Sequence, residues 1–181
     1  MMARHLFLCL ASNCTLEEEE IQMKKSNVRI IAMNAMIACI YAALTIACSG
    51  ISYGGIQFRI SEILVFLAFY NKKYIPGLIV GCFLANLASP LGLADICFGT
   101  LATTIACLGI YWIKNIYIAG VFGAVINGLI VGAELYFVLD LPFMINAFYV
   151  FIGEFAVLMI GAYLFQLLDK KEMFIKKYIL E

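Results

Sequence analysis

Arg59 and Glu62 stand three residues apart in the stretch Tyr53-Gly54-Gly55-Ile56-Gln57-Phe58-Arg59-Ile60-Ser61-Glu62, between two long apolar runs. Ionisable groups are expensive in apolar segments of membrane type, and they mark functional sites by default. At this spacing on a helix the two side chains are neighbours. Two readings stand: they neutralise each other, or they face a ligand together. Asn86, Asp95, Asn127, Glu134, Asp140, Asn146 and Glu154 are the other polar interruptions of apolar sequence. Asp95 follows the turn Ser89–Gly92 and suits a helix cap as well as a ligand contact. Asp140 fits a solvated loop. Glu134 and Glu154 have no basic neighbour in sequence. One arginine therefore meets five acids (Glu62, Asp95, Glu134, Asp140 and Glu154). A ligand with N–H donors or a cationic group would complement that surplus. Gln57, Asn86 and Asn146 are candidates to orient it. Tyr53, Phe58, Tyr136, Phe148 and Tyr149 suit either stacking on a flat ring or an aromatic belt at the membrane interface.

The elements that position these groups follow from hydropathy. The chain has 181 residues, 65% of them hydrophobic, with a mean hydropathy of +1.00. Soluble domains are about 45–50% apolar. Lipid is the natural solvent for the excess, and a single membrane domain is expected. Six apolar runs predict helices near 28–49, 60–70, 74–88, 94–113, 116–139 and 143–168. Turn residues separate them: Gly54-Gly55, Asn71-Lys72-Lys73, Ser89-Pro90-Leu91-Gly92, Lys114-Asn115 and Asp140-Leu141-Pro142. Pro76 falls in the first turn of the third helix, where its missing N–H costs nothing. With the N-terminus inside, eleven of the twelve basic residues lie on the cytoplasmic side, and Arg59 is the exception. The distribution of positive charge thus predicts six transmembrane helices with both termini cytoplasmic. In that frame the polar interruptions gather in the outer half, with Asn127 and Glu154 deepest.

Several function classes are excluded. Net charge is zero, so there is no basic field for nucleic acid. The seven cysteines form no C-x-x-C, and His5 is the only histidine; no metal site is expected, and the cysteines read as small packing residues. There is no P-loop, no H-E-x-x-H and no G-x-S-x-G, so neither ATP binding nor catalysis is expected of this chain. No catalytic residue is assigned. No inverted repeat of the kind secondary carriers hold is evident. A binding subunit that borrows its energy from a partner is the economical reading.

Residues 1–22 differ from the rest. Leu6–Ala11 is too short for a signal-peptide core of about 7–15 residues. Met23-Lys24-Lys25-Ser26-Asn27 has the form of a bacterial start that leads directly into a helix. Glu17–Glu20 before it fits a translated ribosome-binding site. Two readings stand, an untranslated leader and a disordered acidic extension; residues 23–181 form the membrane domain in either.

Helix one carries small residues at every fourth position, Ala35, Cys39, Ala43 and Ala47, beside a second row of Ala38 and Ala42. Such stripes allow close helix approach, either inside a bundle or to a partner.

From Met23 onward the chain resembles the QueT family of substrate-binding S components of energy-coupling factor (ECF) importers. The resemblance is strongest at residues 55–62 and 84–95 and continues through 98–103, with weaker echoes at 127–132 with Glu134 and at Gly153-Glu154. It implies an S-component-like bundle in a bacterial cytoplasmic membrane. It implies uptake of a queuosine precursor, a deazaguanine base or a relative. It also implies a transmembrane T component and two cytoplasmic ATPases that use ATP, with no cofactor bound by this chain. Docking on the T component would use an A-x-x-x-A face of helix one, drawn from Ala38–Ala42 or Ala43–Ala47. Tyr53, Gly54 and Gly55 would belong to a lid over the ligand. The rival expectation is a stand-alone carrier coupled to protons through Glu134 or Glu154.

Overall fold

The computed structural model describes residues 27–52 and 58–169. Every regular element among them is helical. α1 is Asn27–Ala47 and a single turn, α2, follows at Ser49–Ser52. A 3-10 segment, Ile60–Val65, runs directly into α3, Phe66–Tyr70. The 3-10 turn Lys72–Tyr74 leads into α4, Ile75–Asn86. α5 is Leu93–Trp112, α6 is Ile116–Leu139 and α7 is Phe143–Asp169. All six apolar runs are thus helical. Four of them, α1, α5, α6 and α7, are long and apolar enough to cross a membrane, while Ile60–Tyr70 is a shorter apolar helix. The Tyr53–Gln57 stretch, with the lid residues Tyr53, Gly54 and Gly55 and with Gln57, lies outside the described residues, as do residues 1–26 and the C-terminal lysines.

The chain divides into two compact units, 1–33 and 34–181. Of the first, the described part is the opening of α1, 27–33. The second unit holds everything below.

The ends of the elements follow local chemistry. The Asn71 side chain accepts from Lys73 N at 3.0 Å and caps the turn before α4. Asn115 caps α6 by accepting from Tyr117 N at 2.9 Å; an Asn at this position satisfies donors that the first helical turn leaves free. α6 stops at Asp140, which takes the left-handed conformation at φ 51°. Gly92, at φ 61°, turns the chain from α4 into α5.

Helices pack at glycines. A Cβ on Gly77 would lie 2.7 Å from the Asn34 carbonyl, and one on Gly81 would lie 2.8 Å from Tyr41 Cβ and 3.0 Å from Ala38 Cα. α4 therefore lies directly against α1, which small residues permit and larger ones forbid. Asn34 seals the contact, accepting from Gly77 N at 2.7 Å and donating to the Lys73 carbonyl at 2.9 Å. α6 and α7 meet in the same way: a Cβ on Gly132 would lie 2.6 Å from Ala147 Cβ, and one on Gly128 would lie 3.0 Å from Phe151 Cβ. The fully buried Phe66 ring wedges between Gly120 and Gly161. Ala102, Val131, Leu135 and Val150 form an apolar cluster among α5, α6 and α7.

The small residues of α1 divide by face. Ala38 is buried against Gly81, and Ala42 is half-buried. Ala35, Cys39, Ala43 and Ala47 are exposed along one open stripe.

Candidate substrate-binding site

Six of the sequence-predicted residues come together: Arg59, Glu62, Asn86, Asp95, Glu134 and Glu154, none more than 3% exposed. They converge from the 3-10 segment, the end of α4, the start of α5, the last third of α6 and the middle of α7. They form two tiers.

The outer tier centres on Arg59. Its Nη2 lies 3.7 Å from Asp95 Oδ1 and donates to Asn86 Oδ1 at 3.3 Å. Asn86 Nδ2 in turn donates to the Asp95 carbonyl at 2.9 Å. Ser89 Oγ donates to the Asp95 carboxylate. Asp95 sits inside the first turn of α5, while Gly92 holds the cap position; its carboxylate serves the cluster and not the helix end. Glu134 faces Asp95 and Arg59 from α6, and neither of its carboxylate oxygens has a hydrogen-bond partner.

The inner tier centres on Glu62. Its Oε1 accepts from Tyr41 Oη at 2.5 Å and from Thr103 Oγ1 at 3.2 Å, while Oε2 has no partner. The Asn127 amide faces the carboxylates of both Glu62 and Glu154. Asn127 Nδ2 and Glu154 Oε2 are also buried without a partner. Cys82 Sγ bridges the tiers, 3.2 Å from Thr103 Oγ1 and 3.4 Å from Asn86 Nδ2. Behind Glu62, Ser61 Oγ and Thr45 Oγ1 are hydrogen-bonded at 2.6 Å and tie the 3-10 segment to α1.

Helical periodicity explains the layering. Asp95, Gly99 and Thr103 recur every fourth residue on α5 and share one face. Asn127 and Glu134 are seven apart on α6, two turns or roughly 10 Å along the axis. Gly99 lets Asn86 and Arg59 pack directly against α5: a Cβ there would meet Asn86 Nδ2 at 2.6 Å and Arg59 Nη1 at 3.3 Å.

Other residues lie elsewhere than the sequence suggests. Asn146 donates to the Pro142 carbonyl at 2.8 Å and stays half-buried in the first turn of α7, apart from the cluster. Asp140 is exposed in its loop, as expected. Tyr136, Phe148 and Tyr149 are 45–59% exposed and face outward, as belt residues do. Tyr41 belongs to the site without any signal in the sequence, and Thr103 with none beyond its place in the stretch 98–103, because a Tyr or Thr within an apolar run carries no charge to betray it. Among the described residues no three His, Cys, Asp or Glu side chains form a metal-binding group.

A buried set of acids with free oxygens, open-ended in its hydrogen bonding, is what a ligand rich in donors would complete. Comparison with known proteins bears on which. The profile of the QueT transporter family matches residues 31–170. The chain belongs to the QueT transporter family. Its relative named "Queuosine precursor transporter QueT", from Lactococcus lactis subsp. cremoris (strain MG1363), is 37% identical over 165 residues, covering 82% of this chain and 97% of the relative. No solved structure matches the chain. Membership in the QueT family makes this a transporter, and its apolar helices make it a multi-pass membrane protein.

Proposed function

We propose that this chain is the substrate-binding subunit of an ECF-type importer that takes up a queuosine precursor, a deazaguanine base or a relative of it, across a bacterial cytoplasmic membrane. The name of the lactococcal relative supports the substrate. The observation that carries the reading is the buried carboxylate cluster, in which Glu62, Glu134 and Glu154 all keep oxygens without partners. A guanine-type edge presents a ring N–H beside an exocyclic amine, and carboxylates accept from both.

The chain crosses the membrane six times in this reading, with both termini inside. Lys72, Lys73 and Lys114 are exposed, and Tyr70, Lys114 and Asp169 line one cleft, of about 420 Å³. Arg59, Ser89 and Asp95 gather at the far end of the same helices. Ligand enters at that outer end, where Tyr53, Gly54 and Gly55 would serve as a lid and Gln57 as a group that orients the ligand. The chain then docks on a T component through its open stripe, Ala43 and Ala47 with Ala35 and Cys39, and two partner ATPases drive release inside. Ala38 stays within the bundle, and Ala42 lies at the edge of the stripe.

A second reading has one observation in its favour: Glu134 and Glu154 are buried with unpaired oxygens, as proton-carrying groups of a stand-alone carrier would be. Uptake of labelled deazaguanine in cells that lack the T component and the ATPases separates the two. Loss of uptake supports the ECF reading, and undiminished uptake that collapses with the proton gradient replaces it with the carrier.

A further inference from the structure

Both tiers hold unsatisfied buried atoms, but not of the same kind. In the inner tier the free groups are one donor, Asn127 Nδ2, and two acceptors, Glu62 Oε2 and Glu154 Oε2. Tyr41 and Thr103 both donate to Glu62 Oε1. A carboxylate that accepts twice through one oxygen offers only acceptance through the other, so these hydroxyls fix the polarity of the remaining contact. In the outer tier the free atoms of Glu134 are acceptors only. Glu134 shares that tier with one arginine, which already pairs with Asp95, so two carboxyl groups face a single guanidinium.

We infer that the two tiers are separate subsites: the inner one, Asn127 with Glu62 and Glu154, reads the lactam–amidine edge of a purine-like ring, and the outer one, Glu134, takes a cationic arm on the opposite side of that ring. This rests on the proposed uptake of a deazaguanine. The edge of such a ring shows a carbonyl acceptor, a ring N–H and an amino group in a row. Asn127 Nδ2 meets the carbonyl, and the two glutamates take the donors. An adenine-type edge places an amino donor where the carbonyl was and an unprotonated ring nitrogen where the N–H was, so it sets donor against donor and acceptor against carboxylate. The inner tier therefore rejects it. The tier spacing of roughly 10 Å along α6 suits a bicyclic ring with a one-carbon arm and a hydrogen bond at each end. Tyr41 and Thr103 are positioning residues that act through Glu62.

The test is calorimetry on the full chain in lipid nanodiscs with three probes: 7-aminomethyl-7-deazaguanine, 7-deazaguanine and 7-deazaadenine. The inference expects 7-deazaguanine to bind and 7-deazaadenine to bind about 100-fold or more weaker, because a buried polar site is left mispaired by the wrong edge. It expects Glu134→Gln to reduce the preference for the aminomethyl base over the unsubstituted one by roughly tenfold, the scale of a charge-assisted contact. Glu154→Gln should weaken both bases by the same factor and keep the preference. Comparable binding of 7-deazaadenine, or equal losses for both bases in Glu134→Gln, overturns the two-subsite assignment while leaving deazaguanine uptake standing. If none of the three probes binds, the proposed function itself falls, and the inference with it. The probe series on the unsubstituted chain decides the edge assignment even if a variant fails to fold.

Discussion

Glu62 shows how one side chain is prepared for its task. Two hydroxyls hold one of its oxygens and leave the other free. Tyr41→Phe keeps the ring in its fully packed place and deletes only the donor. A hydrogen bond to a buried charged group contributes about 1.5–3 kcal/mol, so the variant should lose roughly tenfold or more in ligand affinity by calorimetry, with a lower unfolding temperature in detergent. Retained affinity would mean that Thr103 alone suffices. The same residue marks the limit of what the sequence discloses. Charged groups in apolar runs stand out, which is why Arg59, Glu62, Asp95, Glu134 and Glu154 are legible as a group from the amino-acid order alone. Tyr41 and Thr103 are not, because both types occur in apolar helices for packing or for local hydrogen bonds, and only the fold brings them to Glu62. Asn146 misleads in the opposite sense. Its place in an apolar run suggests a ligand contact, but an amide near a helix start can bond the carbonyl four residues back, and this one does.

The elements are legible because turn residues cut the apolar runs cleanly; α6 occupies the predicted span Ile116–Leu139. The 3-10 winding of Ile60–Val65 is not legible, since no residue type there demands it. Nor can periodicity choose between the two alanine rows of α1, because either can face the bundle. The glycines of α4 decide it. Ala38→Leu should therefore lower stability, with a smaller yield of monodisperse protein, because Gly81 leaves no space for the added carbons; overpacking of this kind costs about 1–3 kcal/mol. Ala43→Leu with Ala47→Leu should leave ligand binding and thermal unfolding intact yet reduce co-purification with a T component. If that double variant assembles normally, docking uses another face. Gly132→Val should separate α6 from α7 at Ala147 and weaken binding indirectly, visible as a fall in unfolding temperature larger than that of Tyr41→Phe.

At the scale of the whole molecule, the topology is open to chemical labelling. In a cysteine-free background, Asp140→Cys should react with a membrane-impermeant maleimide on intact cells. Lys114→Cys should react only after permeabilisation. The reverse pattern would invert the proposed orientation and move the carboxylate cluster to the cytoplasmic half. The helices themselves raise a different matter. α4 has 12 residues, about 18 Å at ordinary rise, and the neighbouring 3-10 segment with α3 reaches only about 20 Å, whereas a hydrocarbon core is about 30 Å thick. In the proposed six-span topology, two helices of this length would leave a notch in the apolar girdle wherever they meet lipid, and lipids next to it would have to shorten or bend. Such a notch would strain the bilayer beside it. Reconstitution in lipids of graded acyl length should show ligand binding and thermal stability highest in thin membranes and falling as the chains lengthen. A flat response would show that the bilayer does not feel the notch. The same asymmetry would favour tilting of the protein toward its short side, so that membrane thickness becomes a control on how readily the site exchanges between the two faces.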